Sequence, residues 1–194
     1  MIISLLLALT AAPAAAQWDL GLELATTRYG GTVHNTSDSG PPSVRPGDAT
    51  TIGLRVDRTV SRMRIGLRAS YGNPGLTFSG SELMITDKTA ARLFEGSAVA
   101  SFQVVGIGGE SSGAIRAEVG PALHLWKSGD ELRKRLAALG AFAYEWPVAT
   151  RCSGAIRLEG TISKSWFNAG DLPPQYERRV TWRYGVGLGL RYRL

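Results

Sequence analysis

Large apolar and polar side chains trade places at every second position through most of this chain. Trp18, Leu20, Leu22 and Leu24 alternate with Asp19, Gly21, Glu23 and Ala25. A helix would scatter such a pattern around its surface, whereas a β-strand gathers it into one apolar and one polar face. The same period returns over residues 51–57, 63–71, 94–103, 115–125, 136–146, 156–166 and 179–194. The last segment is the clearest. Val180, Trp182, Tyr184, Val186, Leu188, Leu190, Tyr192 and Leu194 face one way, and Arg179, Thr181, Arg183, three glycines, Arg191 and Arg193 face the other. The segment opening at Leu136 has an Ala-rich start that a helix would also accept. The 24 glycines favour β-structure with many turns. These features predict an all-β domain of about eight strands, each roughly the ten residues a tilted membrane strand needs.

The connections differ in length. Polar stretches lie at about 30–48, 72–91, 127–134 and 168–177, the first carrying Pro41, Pro42 and Pro46. Between them fall shorter links at 58–62, 106–113 and 147–154. In an up-and-down barrel successive links lie at opposite rims, so the longer set is expected on the side away from both termini.

The apolar run from Ile2 to Leu9 is too short to span a bilayer, and Ala14-Ala15-Ala16 has the small residues of a cleavage site. This predicts a signal peptide at 1–16 and a mature barrel at 17–194, with Gln17 first. Beyond Gln17 no stretch is long and apolar enough for a membrane helix, so a spanning chain must close as a barrel. The net charge is +6, but its basic residues are dispersed and no nucleic-acid motif accompanies them, so no nucleic-acid partner is expected. Cys152 is the sole cysteine, which excludes an intramolecular disulfide. With no C-x-x-C and no Cys/His cluster, neither metal nor cofactor is expected.

A soluble barrel turns its apolar face inward, and this chain is expected to do the reverse. The polar face carries Asp19, Glu23, Arg55, Asp57, Arg64, Arg68, Glu95, Arg116, Glu118, Glu145, Arg157, Glu159, Arg183 and Arg191. Trp18, Tyr71, Phe102, Trp146, Trp166, Trp182 and Tyr192 share the apolar face near strand ends, where two interfacial girdles belong. Gly21, Gly53, Gly66, Gly120, Gly185, Gly187 and Gly189 lie on the charged face, where small residues leave room for long ones in a narrow lumen. The expected fold is an eight-stranded antiparallel up-and-down transmembrane β-barrel.

In this pattern the chain resembles the small outer-membrane barrels of the OmpA-transmembrane and OmpX type. The closing residues Gly189, Tyr192 and Leu194 resemble that family's C-terminal insertion signal, with Leu194 where the family ends in an aromatic residue. The resemblance implies a bacterial outer-membrane location. It also implies contact with outer-membrane lipid and lipopolysaccharide, and insertion by the barrel-assembly machinery.

Candidate chemistry is sparse. Lipid A deacylases are also eight-stranded barrels and use a His with a Ser two residues on. Here His34 is followed at that spacing by Thr36 in a polar stretch, and His124 by Trp126 on the inner face. Arg55 with Asp57, Arg116 with Glu118 and Arg157 with Glu159 are same-face pairs that read as a salt-bridge ladder. Gly106, Gly108 and Gly109 form a turn and no phosphate loop. Lys127, Arg133, Lys134 and Arg135 flank the third long connection, where lipopolysaccharide phosphates would lie. The leading expectation is therefore a non-catalytic structural or surface-interaction barrel with a lumen plugged by Arg–carboxylate pairs. The alternatives are a narrow channel or transporter of small or hydrophobic solutes, and a lipid A-modifying enzyme.

Overall fold

The two-residue period becomes one continuous antiparallel sheet that closes on itself. The computed structural model describes residues 17–35, 43–79, 84–108, 113–171 and 174–194, and the signal-peptide expectation at 1–16 lies outside the described residues. The strands are β1 (Gln17–Asn35), β2 (Ser43–Pro46), β3 (Ala49–Val60), β4 (Met63–Gly72), β5 (Leu76–Ser79), β6 (Met84–Asp87), β7 (Arg92–Gly106), β8 (Ala114–Ser128), β9 (Glu131–Ala149), β10 (Cys152–Ser163) and β11 (Tyr176–Arg193). Eight of them form the wall in the order β1-β3-β4-β7-β8-β9-β10-β11. The ring shuts where β11 pairs with β1, from Asp19 opposite Arg193 to Asn35 opposite Tyr176. Closure leaves no strand edge in the wall, the condition for placing a sheet in hydrocarbon.

The faces sort by chemistry. Leu22, Leu54, Leu67, Val119, Phe142, Leu158 and Leu188 point outward and are exposed, while the charged residues between them point inward. Aromatic pairs border this apolar belt: Trp182 stacks on Tyr184 at 5.5 Å, Tyr144 on Trp146 at 5.7 Å, and Tyr71 meets Phe94 at 4.7 Å. Such rings suit the level where hydrocarbon gives way to head groups. Gly66 faces the lumen, where a Cβ would lie 2.0 Å from Asp57 Oδ1, so any side chain there would expel the carboxylate.

Three expectations are corrected. First, the connection expected at 127–134 is a two-residue turn, Gly129-Asp130, with Ser128 paired to Glu131. Gly129 supplies the positive φ of 54° that such a hairpin needs. Second, the stretches at 30–48 and 72–91 are not plain loops. β1 continues to Asn35, and β2, β5 and β6 extend the sheet from its far rim. Third, Trp166 does not join the outer girdle. β10 ends at Ser163, and the chain then turns Trp166 inward, where it is 4% exposed. The segment from Leu136 is strand as expected: Leu136 pairs with Leu123 on β8, and from Ala137 the strand is also paired with β10.

Candidate functional site

Among the described residues, the fold gathers its buried charge in the lumen. Of the fourteen inward charged residues, thirteen are buried and Arg64 is partly buried. Seven are carboxylates and seven are guanidiniums, so the interior is balanced. Each reaches the lumen because it holds an inward position of a strand.

Near the terminal rim, Arg64 lies 2.6 Å from Glu145 and 3.6 Å from Asp19. Arg191 pairs with the same Glu145 and lies 3.6 Å from Glu118. Glu118 accepts from Arg55 at 3.0 Å and from Arg157 at 2.9 Å. Arg55 also holds Asp57 at 2.7 Å and approaches Glu23 at 3.7 Å. Toward the far rim, Arg68 spans three carboxylates: Glu23 at 2.6 Å, Glu95 at 2.9 Å and Glu159 at 3.2 Å. Arg157 also pairs with Glu159. Arg183 joins Glu95 at 2.8 Å to Glu159 at 2.9 Å, and His124 Nε2 lies 2.9 Å from Glu95 Oε2.

These contacts form one connected web from Asp19 to His124, with members on all eight wall strands. Arg suits this work because its planar fork serves several acceptors at once. The space left beside Glu23, Arg68 and Arg157 is a cavity of about 10 Å³, at most room for a single water.

Arg116 is not part of that web. It donates to Ser101 Oγ at 2.9 Å, Ser101 O at 3.1 Å and Arg62 O at 3.1 Å, so the expected pair with Glu118 is replaced by carbonyl contacts at the terminal rim. Glu118 has turned instead to arginines across the lumen.

Above the web lies an apolar cap that the period alone did not indicate. Tyr29, Leu76, Ala91, Leu93, Trp126 and Trp166 pack together at the far end. Tyr29 meets Trp126 edge-on at 5.9 Å, and Trp126 meets Trp166 at 6.4 Å. The signal available in sequence was that Leu93 and Trp126 occupy inward positions of their strands.

The four expected phosphate contacts are divided by the hairpin. Lys127 and Lys134 lie exposed on β8 and β9. Arg133 binds Glu131 at 2.7 Å and Asp171 at 2.5 Å, with its guanidinium 4.9 Å above the Trp166 ring. Arg135 holds Ser165 O at 2.8 Å, Trp166 O at 3.0 Å and Asn168 Oδ1 at 2.7 Å. Arg133 and Arg135 therefore fasten the β10–β11 connection over the cap. His34 pairs by its backbone with Ser43 and Glu177, and Thr36 lies outside the described residues.

The fastening has a pH signature. The Asn168 N–H and Arg133 hold Asp171 below the ordinary carboxylate range, and the Arg133 hydrogen bond lowers Glu131. A depressed carboxylate stabilises the folded state above its unfolded pKa, and that contribution is lost as pH falls through the folded value. Amide protection factors at residues 164–171, taken relative to the intrinsic exchange rate at each pH, are therefore expected to fall as pH drops below the carboxylate range while the wall strands stay protected. Uniform exchange across loop and wall would contradict the assignment.

A closed sheet, a charged interior and an apolar outer belt between aromatic borders define a transmembrane β-barrel, and the fold is that of the small outer-membrane barrels. Among solved structures it is similar to Neisserial surface protein A, with a TM-score of 0.61, covering 93% of this chain and 99% of that one. It is also similar to the outer membrane protein OprG from Pseudomonas aeruginosa, with a TM-score of 0.57, covering 92% and 96%. Identities are 8% and 10%, so the likeness is one of fold. No protein-family model and no curated sequence relative matches the chain.

Proposed function

We propose that this protein is a sealed outer-membrane barrel with a structural or surface-interaction role carried by its far rim, which faces outward. The observation that carries this reading is the single ion-pair web joining all eight strands under an aromatic cap. A solute path would need both to open, and opening the web would strand buried charges. The same features argue against transport and against catalysis. His124 is spent on Glu95 and has Trp126, not a hydroxyl, two residues on. Tyr192 on the closing strand and Leu194 directly after it present exposed apolar side chains, which suits them to recognition by the barrel-assembly machinery.

Planar-bilayer recording of the purified chain tests the seal. Silence is expected across moderate voltages. Stable openings of porin size would overturn the proposal.

A further inference from the structure

On the outer wall, β10 ends at Ser163 while β9 and β11 continue toward the far rim. The step leaves a notch of about 700 Å³. Lys134, Lys164, Arg178 and Arg179 line it together with Leu136 and Val180; the expected opposition of Arg179 and Val180 lapses because the β1–β11 register shifts between Arg178 and Thr181. Among the described residues, Lys134, Lys164 and Arg178 have no carboxylate within ion-pair distance, while Arg179 lies 3.5 Å from Glu177. Arg135 is committed to the carbonyls of Ser165 and Trp166.

A second feature lies on the same wall. Gly140 pairs directly with Gly160, and both occupy outward positions between Val119 on β8 and Tyr184 on β11. They open a trench of about 400 Å³ floored by backbone and walled by Phe142, Leu158 and Val186. Glycine weakens a strand interior, and nothing in the packing calls for it here: a Cβ at Gly140 would meet no atom within 4 Å, and at Gly160 only Arg183 O at 3.8 Å. The trench begins four residues below the notch along both β9 and β11, roughly 13 Å at about 3.3 Å per residue.

We infer that notch and trench together hold one lipid of the outer leaflet, a glycolipid bearing two phosphates. The cations take the phosphates and the glycine trench takes an acyl chain. The inference rests on the barrel reading above and assigns that barrel a lipid partner. Cations alone would serve any anion, and a trench alone any chain. Their alignment on one strip of wall, at the spacing of a head group and its hydrocarbon, selects a molecule with both parts. Arg pairs with phosphate by two parallel hydrogen bonds and Lys as a point charge.

Native mass spectrometry of the detergent-folded chain with bisphosphoryl lipid A tests this. The wild type is expected to retain one lipid and to discriminate against the dephosphorylated form. Combined Lys134→Gln, Lys164→Gln, Arg178→Gln and Arg179→Gln is expected to weaken retention about tenfold or more. Gly140→Leu with Gly160→Leu fills the trench, leaves the cations in place and is expected to weaken it comparably. Heat-modifiable gel migration would show that both variants fold. Retention unchanged in either folded variant, absence of a bound lipid, or equal competition by inorganic phosphate would overturn the site. Extraction of the wild type from liposomes by alkaline carbonate would instead overturn the barrel reading beneath it.

Discussion

Glu118→Ala is expected to destabilise the barrel by about 3–5 kcal/mol, the usual cost of removing one partner from a buried ion pair. Glu118 is fully buried and touches arginines from three strands: Arg55 on β3, Arg157 on β10 and Arg191 on β11. Its loss leaves the positive charge of three buried arginines without their shared acceptor. Arg55 keeps Asp57, and Arg157 keeps Glu159, so the web loosens at its centre without falling apart. Glu118→Gln retains the volume and one acceptor and should cost less. Glu177→Ala supplies the control. Its pair with Arg179 is exposed on both sides, and such pairs contribute about 0–1 kcal/mol. Urea unfolding in lipid vesicles, followed by tryptophan fluorescence, measures all three. Equal midpoints for the two alanine variants would mean that the lumen web does not hold the wall together.

Leu188→Arg is expected to cost about 2–4 kcal/mol by putting a charge near the bilayer midplane. Leu188 is 61% exposed on the outer face of β11. Its neighbours across the sheet are Leu24 on β1 and Ile156 on β10, all apolar. Along its own strand it lies between Trp182 and Tyr192, well inside both aromatic borders. Arg191→Lys changes an inward residue three positions away. It keeps the charge near Glu145 but loses the fork that also approaches Glu118, so a smaller loss is expected. The same vesicle assay compares them. If Arg at position 188 were tolerated as well as Lys at 191, the apolar belt would not be facing lipid.

The wall was legible because a period of two leaves little freedom. Once Leu20, Leu22 and Leu24 share a face, Asp19 and Glu23 must share the other, and eight such segments with complementary faces have few ways to close. The charged lining could be read in the same way, residue by residue. The third far-rim connection could not. Lys127 and residues 133–135 are as polar as a loop, and only the positive φ of Gly129 lets the strands run on to a two-residue turn. Trp166 misled for a related reason. Its even spacing continues the outward series of β10, but the strand stops at Ser163 and the period ceases to have meaning.

By itself the sequence determined the eight strands of the wall, the direction their side chains face within the paired segments and the balance of charge inside, because these follow from local alternation. Only the tertiary structure decided which charge meets which. Glu118 finds Arg55 across 63 residues of chain, while Arg116, two positions away on the same face, finds the carbonyls of Arg62 and Ser101. The stagger of paired strands sets the height of every side chain in the lumen. A long guanidinium takes the acceptors at its own height, and no local pattern encodes that height.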